Sequence, residues 1–341
     1  MKICFLTGPQ NSKRCGITDY VNLLRVVLEN YGHDVSNICL SGSKTFKKVI
    51  TNLPEADIFS FQFAPYAFSP NGMLGVDLIN LGKVLRKNKT HLNFHEVWIG
   101  AYKGASLYEK FMGWRQKREI LEFVKVLNPS VITSTNSAAL DRLQKEGINA
   151  TYLYLFGNIP FIETDVSTNS DIFKVAFFGT LYDKFPYDLL GKRLCEIYAV
   201  YGSKIEFRII GLQRESLGFK KLRKVASCYN FSIAETGELS STKVAKEIND
   251  CKIGVSTTPY DAIGKSGASA AMLEHGLPIL AFDDEDTPKD QLFVINEFIG
   301  QIFLINDPFE SNKLLHFISQ ERKPFFDGVA YTAKNMVRMV S

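Results

Sequence analysis

A chain of 341 residues is long for one ordinary domain and suits two, each large enough to bury a core without disulfides or a structural metal. At 45% hydrophobic and 22% charged, with a mean hydropathy of −0.04, it is neither disordered, fibrous nor membrane-spanning in character. A formal charge of +4 and a pI near 8.6 suit phosphorylated ligands or an anionic membrane surface and are too weak to indicate nucleic acid.

The first ten residues, MKICFLTGPQ, read as a first strand running into a Gly-Pro loop rather than as a signal peptide, so the expected location is cytoplasmic. Five more strands are predicted at 35–40, 57–63, 91–96, 130–135 and 150–155, with helical patterns between them. The first helix places Val21, Leu24 and Leu28 on one face and stops at Gly32. Before it, GPQNSKRCGITDYV carries Gly8, Lys13, Arg14, Gly16 and Thr18, the last a candidate N-cap. This loop is either an anion-binding loop at a helix start or a plain surface turn; the dinucleotide fingerprint is absent because Gly8 and Gly16 are eight apart.

Residues 157–171 are polar and read as a linker. Strands are predicted again at 173–180, 204–211, 232–237, 252–258, 277–282 and 301–305, followed by a last helix. The expected fold is therefore α/β, with two doubly wound Rossmann-like domains at 1–160 and 161–323 and a terminal helix at 324–341. Six cysteines (Cys4, Cys15, Cys39, Cys195, Cys228, Cys251) form no C-x-x-C pair and read as buried free thiols. The histidines His33, His91, His95, His275 and His316 lack metal-ligand spacing.

Residues 264–282, GKSGASAAMLEHGLPILAF, place a Lys-Ser-Gly-Ala loop before a helix of small residues and a buried strand. Gly264-Lys265-Ser266 matches the end of a phosphate-loop motif, but that motif's first glycine would fall at Pro259. A plain structural reading packs Ala268, Ala271 and Met272 on a sheet, with Gly276 ending the helix. It leaves Lys265, Ser266 and Gly267 unexplained.

The run SGASAAMLEHGLPILA resembles the C-terminal-domain motif of GT-B glycosyltransferases of the large retaining family 4 type. That resemblance implies two domains facing a cleft, an acceptor on the N-terminal side, a nucleotide-diphosphate sugar on the C-terminal side and a last helix crossing back. It further implies that FFGTLYDK at 177–184 stands at the Gly-Arg-Leu loop, with Gly179, Thr180 and the phosphate lysine Lys184. Arg214, Glu238, Ser266, Gly267, Ala268 and Ser269 would complete the donor site. Gly16, Ile17, Asp19 and Glu96 would face the acceptor, and His95 in LNFHEVW would be the family histidine, catalytic together with Lys184 and Lys265.

Two departures stand out: the family's pair of glutamates would fall at Ile263 and Ala271, with Glu274 three residues too late, and its arginine is Thr180. Taken by itself, His95 reads first as a histidine hydrogen-bonded at a strand end, a functional role following from the resemblance, and His275 reads as a helix C-cap group. The acids Asp261, Asp283, Asp284, Glu285 and Asp286 read as loop and cap, so neither a metal nor a cofactor is expected beyond the donor substrate.

Residues 102–126 interleave Tyr102, Tyr108, Phe111 and Trp114 with Lys103, Lys110, Arg115, Lys117 and Arg118. The stripe of Leu107, Phe111 and Trp114 either packs into the core or meets an anionic membrane, and the inner membrane surface and a lipid-linked acceptor follow from the second reading. The function expected is transfer of a sugar to a glycan, lipid-linked or protein acceptor, as in polysaccharide biosynthesis. The alternatives are a non-catalytic nucleotide-sugar-binding or partner-stabilising subunit and a phosphate-loop NTPase.

Overall fold

The computed structural model describes residues 1–9, 16–69, 71–101, 104–163, 171–212, 215–283, 295–306 and 311–341. Lys13, Arg14, Cys15, Tyr102, Lys103, Arg214, Asp284, Glu285 and Asp286 lie outside the described residues, as does the middle of the linker candidate. The chain divides into two compact units, Met1–Tyr154 with Val329–Ser341, and Leu155–Gly328. No described helix is long and apolar enough to cross a membrane.

In the first unit strands and helices alternate as β1 (Lys2–Thr7), α1 (Gly16–Asn30), β2 (Asp34–Cys39), α2 (Gly42–Thr51), β3 (Ile58–Phe63), α3 (Pro65–Phe68), α4 (Gly75–Leu85), β4 (Thr90–Phe94), α5 (Leu107–Leu127), β5 (Val131–Ser134), α6 (Ser137–Lys145) and β6 (Thr151–Tyr152). The strands pair in parallel in the order β2-β1-β3-β4-β5-β6. Period-two alternation turns Phe59, Phe61, Phe63, Leu92 and Phe94 to one face, where they pack with Leu78, Leu81, Ile120 and Phe123. The opposite face of β3 and β4 is polar and is taken up below.

The second unit contains β7 (Ile172–Phe178), α7 (Tyr187–Tyr201), β8 (Lys204–Ile210), α8 (Leu217–Tyr229), β9 (Ser232–Glu235), α9 (Ser241–Asp250), β10 (Ile253–Val255), a 3-10 turn (Tyr260–Lys265), α10 (Gly267–Glu274), β11 (Ile279–Ala281), β12 (Ile302–Leu304) and α11 (Ser311–Ser319). Its sheet is also parallel, in the order β12-β11-β10-β7-β8-β9. Phe177, Phe207, Leu190, Leu222 and Val255 are at the centre of its core. The last helix, α12 (Gly328–Val340), belongs from Val329 onward to the first unit, where Thr332 Oγ1 donates to Tyr154 O at 2.9 Å and Lys89 Nζ to Ser341 O at 2.9 Å.

Three expectations are corrected. Helical backbone already includes Gly16, so Thr18 sits within the first turn of α1 instead of capping it. Only some of the described thiols are buried: Cys4 and Cys251 are, while Cys228 is exposed because the buried face of α8 is Phe219, Leu222, Val225 and Ala226. The core reading of the Leu107, Phe111 and Trp114 stripe also fails, since α5 buries Met112, Gly113, Gln116, Ile120, Phe123 and Leu127 and leaves the stripe in solvent.

Arg322 ties two helix ends of the second unit together. Its Nε donates to His275 O at 2.9 Å, at the end of α10, and its Nη atoms donate to Asn249 O at 2.8 Å and Ile248 O at 3.2 Å, in the last turn of α9. Among the described residues no carboxylate pairs with it, so the negative ends of two helix dipoles take that role. Burial lowers its pKa to about 10, which still leaves it charged at neutral pH. Arg322→Ala should lower the unfolding free energy by about 2 kcal/mol or more in urea denaturation. Arg322→Lys should recover less than half of that loss, because one ammonium cannot span both helix ends.

Candidate functional site

In an open parallel sheet ligands collect at the carboxyl ends of the strands where the strand order reverses. In the second unit that reversal lies between β10 and β7. The loop after β7 begins at Gly179, whose φ of +90° suits glycine, and a Cβ placed there would lie 2.7 Å from the Ala268 Cβ. The loop therefore runs directly against the first turn of α10.

Side-chain hydroxyls fasten the two loops. Thr257 Oγ1 donates to Thr180 O at 2.7 Å and accepts from Tyr182 N at 3.1 Å, joining the chain after β10 to the chain after β7. Ser256 Oγ lies 2.8 Å from Ser269 Oγ, which donates to Ser266 Oγ at 2.9 Å. Ser266 caps α10 by accepting from Ser269 N at 3.2 Å, which leaves the N–H groups of Gly267 and Ala268 with no intrahelical acceptor. Those two N–H groups and the positive end of the helix dipole form a place for an anion.

Lys265 ends the 3-10 turn immediately before this cap, and Lys184 closes the loop after β7. Both are exposed, and among the described residues neither makes an ion pair or a hydrogen bond. Thr180 is exposed on the same loop, and Glu238 is exposed after β9. The surroundings of Lys265 are unlike a phosphate loop, since Pro259 and a 3-10 turn replace the glycine-rich wrap between strand and helix.

Ile263 and Ala271 are both buried, so the two positions where the resemblance placed acids face protein instead of a ligand. Glu274 is no substitute: its Oε1 accepts from Gly157 N at 2.9 Å, where a Cβ on Gly157 would lie 2.6 Å from Ala271 Cα. His275 is the α10 C-cap residue, but burial lowers its pKa, with Arg322 lowering it further against the raising effect of a hydrogen bond to the Ile159 backbone. It is a neutral group beside Asn249 Oδ1 at 3.1 Å instead of a cation on the dipole. Among the described residues no group of three or more His, Cys, Asp or Glu is placed to hold a metal ion.

In the first unit the order reverses between β1 and β3. Gly8 permits close approach there, because a Cβ would fall 2.1 Å from Ala67 O. Gly16, Ile17 and Asp19 form the first turn of α1, with Gly16 and Asp19 exposed, and Glu96 is exposed after β4. His95 is buried beside Tyr20, whose ring stands edge-on with centroids 5.0 Å apart.

Behind His95 the polar face of β3 and β4 closes into a ring of hydrogen bonds whose direction can be deduced. Gln62 Nε2 donates to Ser60 Oγ at 2.9 Å, and Asn93 Nδ2 donates to Gln62 Oε1 at 3.0 Å. Thr133 Oγ1 donates its one hydrogen to Asn93 Oδ1 at 2.9 Å, so it accepts from His91 Nε2 at 2.8 Å. The Nδ1 of a neutral His91 is then an acceptor, and Ser60 Oγ donates to it at 2.9 Å. His95 Nε2 lies 2.8 Å from the same Gln62 Oε1, an acceptor only, and so carries the hydrogen. Nδ1 is therefore the acceptor nitrogen of His95. Burial holds His91 at a pKa of about 3 and His95 at about 4, both neutral at physiological pH.

No protein-family model matches the chain, and no curated protein matches it in sequence. Its fold does match solved structures. AviGT4, a glycosyltransferase involved in avilamycin A biosynthesis, aligns over 100% of this chain and 97% of its own at 10% identity, with a TM-score of 0.54. HepE from Anabaena, solved in complex with UDP and glucose, aligns over 100% and 95% at 15% identity, with a TM-score of 0.52. This chain has the GT-B fold. UDP-GlcNAc 2-epimerase from Methanocaldococcus jannaschii shares it over 100% and 99% of the two chains, at 13% identity and a TM-score of 0.51.

Within the GT-B frame, the sequence singled out the Gly179 loop and the Lys-Ser-Gly-Ala segment at the start of α10, but not the Ser266 cap or what fastens the two, Ser256 and Thr257 in KIGVSTT. It also missed Gln62 and Tyr20 around His95. The signal for Gln62 was present in FSFQF beside HLNFH: alternation with polar residues is unusual in a parallel strand buried on both faces.

Gly179→Val should combine a disfavoured φ with a clash against Ala268, costing about 1–3 kcal/mol of stability in thermal or urea unfolding. The histidines set a pH dependence. With folded pKa values of about 3 and 4 against 6.5 in the unfolded chain, the unfolded state binds more protons below pH 6.5. Their contribution is thus complete above pH 6.5 and declines as the pH falls towards 4, by up to about 1.4 kcal/mol per pH unit for each histidine. Unfolding of His95→Asn between pH 6.5 and 4.5 should show about half of this histidine-linked slope.

Proposed function

We propose that this protein is a glycosyltransferase that uses a nucleotide-diphosphate sugar, with the donor held by Leu155–Gly328 and the acceptor by the first unit. The observation that carries the reading is the meeting, at the strand-order reversal of the second sheet, of the Gly179 loop with the open N–H groups of Gly267 and Ala268, next to the exposed Lys265, which among the described residues makes no ion pair or hydrogen bond. A diphosphate is the ligand whose charge and number of oxygens suit that arrangement.

In this reading the bridging and terminal oxygens of the diphosphate lie on the α10 N-terminus and accept from the Nζ groups of Lys265 and Lys184. As the bond from the sugar to the diphosphate breaks, negative charge grows on the leaving oxygens, and fixed donors favour that state over the ground state. Charge is met by lysines and dipole, and no metal is invoked. Thr180, Ser266 and Ser269 shape the floor of the donor site, and Glu238, after β9, is assigned to the nucleoside. The acceptor lies along Gly16, Ile17, Asp19 and Glu96, and the lone pair on His95 Nδ1 receives a hydrogen bond from an acceptor hydroxyl.

UDP-sugars are the first donors to test, since HepE was solved with UDP and glucose and the archaeal relative in fold is named for UDP-GlcNAc. Retention of configuration and a glycan, lipid-linked or protein acceptor extend the reading on the strength of the motif likeness. A second reading, a nucleotide-sugar-binding protein that transfers nothing, is favoured by the buried Ile263 and Ala271 where acids would stand.

Release of nucleoside diphosphate from a panel of nucleotide-sugars, with and without acceptor extracts, separates the two. The proposal predicts release by the wild type and a fall in kcat/KM of about tenfold to a hundredfold in Lys265→Ala, the cost of one charge-assisted hydrogen bond. Donor binding with no release from any nucleotide-sugar would instead establish the second reading.

A further inference from the structure

Helix α5 shows solvent a surface that the donor reading does not use. Leu107 is 85% exposed, Tyr108 70%, Phe111 56% and Trp114 53%, although each is large and apolar or aromatic. Leu107, Phe111 and Trp114 follow at steps of four and three, on one side of the helix, and the Phe111 and Trp114 rings stack with centroids 6.3 Å apart.

This orientation is imposed by packing on the other side. A Cβ on Gly113 would lie 1.9 Å from Ile99 O, and one on Gly100 would lie 2.3 Å from Glu109 O, so the helix backbone is in contact with the chain at 99–100. Gln116 fixes the rotation further, accepting from Ile99 N at 3.1 Å and donating to Tyr66 Oη at 3.1 Å. The helix cannot turn its stripe inward without breaking these contacts. Its start is equally fixed by the capping box of Ser106 and Glu109.

The charge around the stripe has one sign. Lys110, Arg115 and Arg118 are exposed beside it, and Arg118 lies over the Trp114 ring at 5.1 Å. Between 107 and 118 the sole acid is Glu109, whose carboxylate accepts from Ser106 N at 2.8 Å, while Lys117 is paired with Glu146. Aromatic and leucine side chains with a fringe of bases that form no ion pair among the described residues match the interface of a bilayer, where rings sit at headgroup depth and cations meet lipid phosphates. A second copy of this chain would bring the same cations against each other, and an apolar protein partner would leave them unmet.

We infer that the Leu107, Tyr108, Phe111 and Trp114 face of α5, with Lys110, Arg115 and Arg118, docks this protein on an anionic lipid bilayer. The surface belongs to the first unit alone, and the inference is independent of the donor reading.

The test uses the full chain with vesicles of phosphatidylcholine alone and of phosphatidylcholine with phosphatidylglycerol. The two tryptophans are Trp98, which is buried, and Trp114, so Trp98→Phe makes emission a report on Trp114. Flotation with the anionic vesicles only, weakening with added salt and accompanied by a blue shift of Trp114, is the expected result. Phe111→Ser with Trp114→Ser, and separately Lys110→Glu with Arg115→Glu, should each lower the bound fraction about tenfold or more with unchanged thermal stability, since these side chains are in solvent. No flotation at low salt, equal flotation on neutral vesicles, or unchanged Trp114 emission would overturn the inference. So would concentration-dependent dimerisation abolished by the same substitutions, which would assign the face to a second copy.

Discussion

The close approach of Gly179 to Ala268 is the constraint on which the candidate donor site depends. Parallel sheets deliver their loops to one edge, but the order of strands decides which loops become neighbours, and here the reversal between β10 and β7 makes neighbours of loops far apart in sequence. With no side chain at 179, backbone meets helix start. Thr257 then holds the loop from one side and Ser256 holds the helix from the other. A rigid frame of this kind leaves the helix N–H groups fixed before any ligand arrives, which is how such groups contribute most to binding a developing charge.

The first unit relies on a different device. A parallel sheet covered on both faces normally fills both with apolar side chains, yet here one face of β3 and β4 is built from Ser60, Gln62, His91 and Asn93. Buried polar groups are tolerable because each passes its hydrogen to the next, with Thr133 completing the circuit. The circuit ends by holding His95 as a neutral ring of one tautomer. A buried imidazole with a pKa near 4 is a poor general base at neutral pH, and with Nε2 carrying the hydrogen its Nδ1 is a hydrogen-bond acceptor.

Much of this was legible in the sequence because parallel strands are short, apolar and punctuated by glycine: all twelve expected strands correspond to strands in the fold, with ends moved by a few residues. Gly179 and Ser266 were singled out through the motif likeness, whereas the capping role of Ser266 emerged only from the fold. What could not be read was tertiary. Whether Glu274 served a ligand or the chain itself depended on Gly157, 117 positions away. Which side of α5 is buried depended on Gly100, Gly113 and Gln116, residues whose role lies in backbone approach and not in hydrophobicity, so the aromatic stripe outweighed them in a periodicity reading. Thr18 looked like a cap because hydroxyl residues usually precede helices, and here the helical turn had already begun at Gly16.

Binding of a nucleotide-sugar is the central claim, and thermal unfolding of the wild-type chain against a panel of UDP-, GDP- and ADP-sugars, each beside its nucleoside monophosphate and free sugar, tests it directly. The account predicts that at least one diphosphate sugar stabilises the protein, by about 2.7 kcal/mol at a hundred times its dissociation constant, and does so well beyond the matching monophosphate or sugar. A flat response to every nucleotide-sugar, or stabilisation by the free sugars alone, would contradict it.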